Sequence, residues 1–241
     1  MRVPRIFSEQ ALSEHCELAL EEAASHHLIK VLRMQAGRAL ILFNGDGHDY
    51  KAEIISCSKK SATVRITDRT RPANESPLHS HLAIGISRGE RFDFVLQKAT
   101  ELGVSEITPL FTERTEVKLS GDRLDKKMAG WRKIIISACE QCGRAVIPTL
   151  NTATALAAFT QRSQPDHRFV LHHRNTQKIP ASSEVEDVSI LVGPEGGLSE
   201  QEIELANQHG FLNLALGPRV LRTETAPLAA LALMQHHWGD I

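Results

Sequence analysis

The chain has 241 residues, 41% of them hydrophobic, enough apolar material for one or two domains with packed cores. No stretch approaches the ~20 apolar residues of a membrane span, and the opening MRVPRIFSEQ lacks the apolar run of a secretory signal, so a soluble, cytoplasmic protein is expected. The formal net charge of −1 does not by itself mark a nucleic-acid binder, and four cysteines (Cys16, Cys57, Cys139 and Cys142) are too few and too scattered for a disulfide framework.

Up to residue 68 the pattern is mainly β. Residues 38–43, 48–57 and 61–67 alternate or run apolar, separated by Asn44-Gly45-Asp46-Gly47 and by Ser58-Lys59-Lys60, residue types that reverse a chain. A short helix over 26–34 precedes them. The polar, proline-bearing segment DRTRPANESPLHS, residues 68–80, reads as a linker. Beyond it the rhythm changes. Residues 81–87 make a strand; Phe92, Val95, Leu96, Ala99 and Leu102 mark one helix face stopped by Gly103; residues 104–110 make the next strand. A helix from about 124 to 142, a strand at 146–150, a helix near 155 and a strand at 169–172 follow. Such β/α alternation predicts a mostly parallel sheet covered by helices.

Cys139 and Cys142 form a C-x-x-C, yet they sit near the end of a helical segment, whereas a redox pair is activated near a helix N-terminus. No second pair completes a zinc site. Trp131, Ile134, Ile135 and Ala138 lead to Cys142 at helical spacing, which predicts a buried helix face. The histidine pairs 79/81, 172/173 and 236/237 lack carboxylate or cysteine partners at ligand spacing, so no metal is expected.

The last third of the chain holds two glycine-marked strand-to-helix turns. In the first, 190–192 is a buried strand, Gly193 to Gly197 a turn, and Ser199 with Glu202 a capping box that opens a helix. In the second, 211–216 is the strand, Gly217 breaks it, and Thr225 caps a helix carrying Pro227 in its first turn. Ligands of open α/β sheets sit outside the carboxyl ends of strands, so the two loops make walls of one pocket. Neither G-x-G-x-x-G nor G-x-x-x-x-G-K-[ST] is present to cradle phosphate. Glu195 lies in the first loop, and residues 179–218 hold seven acidic residues and no lysine or arginine, a setting for a neutral or cationic, nucleoside-like ligand. The plainer alternative is that Glu195 faces solvent in a turn.

Positive charge is clustered elsewhere. Residues 112–144 carry eight Lys and Arg against five acids, and the first 72 residues carry eleven against nine. Arg2 and Arg5 bracket Pro4, and Lys59-Lys60 sits at a hairpin tip. Local cations anchor phosphates even in a neutral protein, although solvated surface charge is the ordinary role of any one of them.

The elements GPEGGLSEQEIE and LGPRVLRTETA resemble the carboxy-terminal signatures of the RsmE family, bacterial ribosomal RNA methyltransferases that modify N3 of a uridine in the decoding region of 16S rRNA. RVPRIF, HHLIKVLRM, SRGERFDFVLQKATELGV and WRKIIISACEQCGR extend the resemblance over nearly the whole chain. It implies an α/β fold: a PUA-like β-barrel RNA-binding domain over 1–72, then a SPOUT domain over 73–241 with a parallel sheet and a deep trefoil knot at about 168–241. It also implies a homodimer using S-adenosylmethionine, with 16S rRNA or the 30S subunit as partner and no metal. The donor would lie against Leu171, Gly193, Pro194, Glu195, Gly196, Leu216, Gly217, Val220 and Leu221. RNA contacts are expected from Arg2, Arg5, Arg33, Lys59, Lys60, Arg91, Arg114, Lys118 and Arg144. Two departures stand out: His173 where close relatives carry proline, and Thr115-Glu116 in place of a smaller pair.

Uridine N3 is a poor nucleophile until its proton leaves and negative charge spreads onto the flanking carbonyls. Arg222 is the expected stabiliser of that charge, with Arg88, supplied by a partner subunit, as the alternative. Glu224 is the expected general base; orienting Arg222 or capping the last helix are its other readings. Two other classes fit the same signals: a SPOUT enzyme acting on another RNA base or a ribose 2′-hydroxyl, and a non-catalytic RNA-binding assembly factor.

Overall fold

The computed structural model describes residues 3–58, 60–162, 165–172, 179 and 184–241; Arg2, Lys59 and His173 lie outside the described residues. The chain divides into two compact units, Met1–Glu75 with Ile136–Ile147, and Ser76–Ile135 with Pro148–Ile241. Residues 136–147 thus belong with the amino-terminal unit, which a linear division near residue 72 does not anticipate.

The first unit is a five-stranded mixed sheet of β1 (Arg5–Phe7), β2 (Glu17–Ala19), β3 (Ala39–Phe43), β4 (Asp49–Cys57) and β5 (Ala62–Thr70), ordered β1-β3-β4-β5-β2. Only β1 and β3 pair in parallel; the other pairings are antiparallel. Alternation decides the core: Tyr50, Ala52 and Ile54 of β4 and Ala62, Val64 and Ile66 of β5 turn inward against Leu20, Ala24 and Leu28. The helix expected over 26–34 begins earlier, as α1 (Glu22–His26), and continues as a π-helical turn over His27–Val31. Its N-cap, Glu21, makes no side-chain cap bond, so no start signal was there to read. Burial of Ala24, Ser25 and Leu28 places it instead.

Two arginines expected to meet RNA, Arg5 and Arg144, are buried in ion pairs of the first unit. The Arg5 guanidinium pairs with Asp49 and donates to the Arg144 carbonyl at 3.0 Å, and Arg144 pairs with Glu75 at 2.8 Å. With side chains only 6% and 5% exposed, both charges are already taken up by carboxylates. These bonds fasten the 136–147 segment to its unit. A buried charge is kept only when paired in this way.

The second unit is a parallel α/β sheet built from β6 (His79–Gly85), α2 (Glu90–Glu101), β7 (Glu106–Phe111), the part of α3 (Gly121–Cys142) up to residue 135, β8 (Thr149–Leu150), β9 (Thr154–Ala155), α4 (Leu156–Thr160), β10 (His167–Leu171), β11 (Asp187–Val192), α5 (Glu200–Gln208), β12 (Leu212–Leu214) and α6 (Thr225–Trp238). Strand order is β12-β10-β11-β6-β7-β8, with β9 also on β7, and every pairing is parallel. The strands read as continuous apolar runs because helices cover them. Ala83, Val170 and Leu191 pack with Phe159 of α4 and Ala206 of α5, while α6 contacts β6, β11 and α2. On α2, Phe92, Val95, Leu96 and Ala99 are buried as their spacing predicts, and Gly103 at φ +81° ends the helix. Trp131 is fully buried beside Phe92 and donates its indole N–H to Asp93 at 3.1 Å. Burying one such side chain contributes about 1.5–3 kcal/mol. Among the described residues no helix is long and apolar enough to cross a membrane.

Candidate active site at the carboxyl ends of the strands

The strand ends of β10, β11 and β12, with the loops that follow β11 and β12, enclose a cavity of about 580 Å³. Four of its lining residues are glycines, Gly193, Gly196, Gly197 and Gly217, which leave main chain bare there. After β11 the loop doubles back so tightly that a Cβ on Gly193 would lie 2.8 Å from the backbone of Gly197 and Leu198. Gly197 takes φ +69°, and its N–H donates to the Pro194 carbonyl at 2.8 Å. The turn then enters α5 through the expected capping box: Ser199 Oγ accepts the Glu202 N–H at 3.2 Å, and the Glu202 carboxylate accepts the Ser199 N–H at 2.9 Å. The second Glu202 oxygen accepts the Glu113 N–H at 2.8 Å, tying in the loop after β7.

The loop after β12 is joined to the first by Thr223, whose hydroxyl donates to the Gly193 carbonyl at 3.1 Å. Gly217 adopts φ +88° with nothing near its missing side chain, so backbone conformation rather than space requires glycine there. Thr225 is the first residue of α6 rather than its cap. Glu224 occupies the cap position without a side-chain cap bond, and its side chain makes no bond to Arg222 among the described residues. Glu224 is instead a lining residue of the cavity, together with Arg222.

Charge around the cavity differs from the local sequence. Arg91, Arg114, Arg219 and Arg222 line it beside Glu195 and Glu224. The acidic block between 179 and 218 therefore misleads, because these arginines lie outside it and are carried in by the first turn of α2 and by the loops after β7 and β12. Glu195 does not simply face solvent: it accepts the Arg88 N–H at 2.8 Å and lies 3.4 Å from the Arg91 guanidinium. Arg114 donates to the Gly196 carbonyl at 2.9 Å. The guanidinium of Arg88 pairs with Glu116, one of the two departures, at 2.9 Å. By contrast, the Arg219 and Arg222 side chains have no hydrogen-bond or ion-pair partner among the described residues.

Of the positions expected to hold the donor, Leu171, Gly193, Pro194, Glu195, Gly196, Leu216, Gly217 and Leu221 meet at this cavity. Val220 stands at its mouth with its side chain 91% exposed, so that side chain forms no packed wall. Arg91 and Arg114, expected on the RNA surface, lie on the cavity rim. Arg33, Lys60 and Lys118 are exposed and are not among its lining residues, Arg33 with φ +52° and Lys60 in the turn between β4 and β5. Cys139 is buried and its thiol is pushed up to about 12 by that burial, the state of an inert packing cysteine.

Sequence reasoning passed over Gly85, Thr223 and Arg219. A Cβ on Gly85, the last residue of β6, would meet Pro194 at 2.5 Å, so this glycine is what lets the first loop close over the sheet. Its signal was absent because the contact is made with a segment more than a hundred residues away. Thr223 and Arg219 lie inside a motif already singled out, and only the fold shows where they face.

A family model described as an RNA methyltransferase domain matches residues 74–235, and a second, an RNA methyltransferase PUA domain, matches residues 20–67. Ribosomal RNA small subunit methyltransferase E of Buchnera aphidicola (subspecies Acyrthosiphon pisum) is 34% identical, over 99% of this chain and 95% of that protein. The chain belongs to this family of RNA methyltransferases. Among solved structures, a methyltransferase from Legionella pneumophila with bound S-adenosylmethionine is 44% identical, with a TM-score of 0.96 and full coverage of both chains. Ribosomal RNA small subunit methyltransferase E from Neisseria gonorrhoeae, also bound to S-adenosylmethionine, is 36% identical at a TM-score of 0.92, again over both full chains.

Proposed function

We propose that this chain transfers the methyl group of S-adenosylmethionine to N3 of a uridine in the decoding region of 16S rRNA, acting as a cytoplasmic homodimer. The observation that carries the reading is the cavity between the two glycine loops, with unpartnered Arg222 and half-buried Glu224 among its lining residues. Its volume of about 580 Å³ suits a nucleoside-sized ligand. The glycine loops leave amides and carbonyls bare for a purine and ribose, and the cavity has no lysine and no phosphate-binding glycine pattern. Leu171, Gly193, Pro194, Gly196, Leu216, Gly217 and Leu221 would hold the donor, with Glu195 fixing the first loop to Arg88 and Arg91.

When bound, the donor supplies an electrophilic methyl group on a sulfonium, whose departure as a neutral thioether needs no metal. The chain's own residues prepare the acceptor. Glu224 takes the N3 proton, and Arg222 donates to the uracil carbonyl oxygens as negative charge reaches them, favouring the transition state over the bound substrate. The nitrogen lone pair so exposed forms the new N–C bond as the C–S bond breaks. Arg88, held by Glu116 within one subunit, is the second candidate for charge stabilisation and would act across the dimer. Exposed Arg33 and Lys60 of the first unit are the proposed phosphate contacts outside the cavity. The strand order β12-β10-β11 supports the proposed knot, since the chain passes β10 again on its way from β11 to β12.

Methyl transfer by purified protein to free 16S RNA and to assembled 30S subunits, followed by nucleoside mass spectrometry, tests this reading. 3-Methyluridine is the expected product. A methylated ribose, another methylated base, or donor binding without transfer to either substrate would replace it.

A further inference from the structure

Val220 is the most exposed large hydrophobic side chain among the described residues, at 91%. It sits on the loop that closes the cavity, and the arginines on either side of it, Arg219 and Arg222, have no side-chain partner among the described residues. The loop from 215 to 223 reads A-L-G-P-R-V-L-R-T and contains no acid. It is also held rather than loose. Pro218 fixes one backbone angle, Gly217 sits at φ +88°, and Thr223 anchors the base of the loop to Gly193. An apolar side chain is therefore presented outward, on a stiff support, between two uncompensated cations at the mouth of the site.

We infer that Arg219 and Val220 are the substrate-positioning elements of this site: Val220 fills the gap left when the target uridine leaves its stack, and Arg219 grips an adjoining phosphate. The inference rests on the RNA methyltransferase reading above and specifies the substrate as an RNA segment whose target base is displaced into the cavity. N3 lies on the Watson–Crick edge, which pairing hides, so chemistry there needs the base unpaired and turned out. A displaced base leaves neighbouring faces uncovered, and an apolar wedge covers them. The phosphates beside it bring negative charge that an unpaired arginine neutralises. Arg222 serves the reacting base itself, so Arg219 is the cation available to the backbone. A second copy of the chain is the competing occupant of the tip, but it offers no reason for two bare arginines to flank the apolar residue.

The test uses full-length protein carrying Arg219→Ala, Val220→Ser or Val220→Leu. RNA affinity is read by fluorescence anisotropy across a salt series, the RNA concentration for half-maximal methyl transfer by kinetics, donor affinity by calorimetry, and mass by sedimentation. Arg219→Ala should weaken RNA binding and lower the slope of log affinity against log salt by about 0.7–0.9. Val220→Ser should weaken RNA binding about five- to tenfold, from the apolar burial it gives up, with the slope unchanged, and Val220→Leu should restore most of it. Donor affinity and mass should match wild type. Unchanged RNA affinity and half-saturation in an active protein would overturn the inference. So would a parallel loss of donor affinity, which would return the tip to the donor pocket, or dissociation of the dimer by Val220→Ser, which would identify a second copy as its occupant. If wild type transfers no methyl to any RNA, the parent reading fails and this one with it.

Discussion

The same parallel strands end in two cavities of similar size and opposite character. At the carboxyl ends the cavity of about 580 Å³ lies between the two glycine loops and is rimmed by arginines, two of them without side-chain partners among the described residues. At the amino ends a cavity of about 700 Å³ is lined by His79, His81, His167, Glu106, Asp166, Glu184, Glu186 and Asp187, with Arg162. Several of those groups satisfy one another. His79 lies 3.1 Å from Asp187, His81 bonds Thr108 at 2.8 Å, and Asn151 donates to Glu106. Volume therefore does not distinguish a site. What does is the pair of glycine turns, Gly193–Gly197 and Gly217, that leave main chain bare at the carboxyl-end cavity, where ligands of open α/β sheets sit.

The largest effects should come from the two side chains that face the carboxyl-end cavity. Arg222→Ala should lower turnover about 10²–10³-fold while donor and RNA affinities change little, because its donors act mainly as charge develops. Near-normal single-turnover rates would remove Arg222 from the chemistry. Glu224→Gln keeps size but accepts no proton; if Glu224 is the base, the rate should fall about 10²-fold at neutral pH and partly recover as pH rises and uridine ionises unaided. A modest loss that ignores pH would leave Glu224 a positioning residue.

Smaller effects should separate the two glycines of this cavity. Gly193→Ala forces a Cβ against the backbone of Gly197 and Leu198, whereas Gly217→Ala meets open space and pays only for its positive φ. Calorimetry should find donor affinity reduced about tenfold or more by the first and by less in the second. Equal, wild-type affinities would mean that these loops do not hold the donor.

The smallest effect belongs to the amino-end cavity and tests the contrast from the other side. Burial holds the His81 imidazole below its ordinary value of 6.5, with Glu106 opposing more weakly. Between that lowered value and 6.5 the unfolded chain binds more protons than the folded one, so stability should fall as pH drops through 6.5. Thermal melts from pH 7.5 to 5.5 should show this decline and a shallower one for His81→Gln. Methyl transfer by His81→Gln at pH 7.5 should stay at the wild-type level. Superimposable pH profiles would show that His81 does not carry the dependence, and a large activity loss would erase the distinction between the two cavities.

Much of the second unit was legible in the chain. The helical spacing from Phe92 to Ala99, the stop at Gly103, the apolar run entering Val192 and the Ser199–Glu202 capping box are local signals, and each appears where local physics puts it. The first unit was less so. Its π-helical turn follows no cap signal, and the membership of residues 136–147 depends on bonds between positions 69 and 139 residues apart.

Sequence by itself determined most of the β/α alternation of the second unit, the two glycine turns and the residue types available at their tips, because backbone preference, capping and apolar period act over a few neighbouring residues. Tertiary structure alone decided that Arg5 and Arg144 pair with carboxylates, that Gly85 makes room for Pro194, and that arginines from one helix and two separate loops surround a cavity whose own stretch of sequence is acidic. Those outcomes depend on which distant groups come within a few ångströms of one another. Charge pairing and close packing are set by distance in space, which spacing along the chain does not encode.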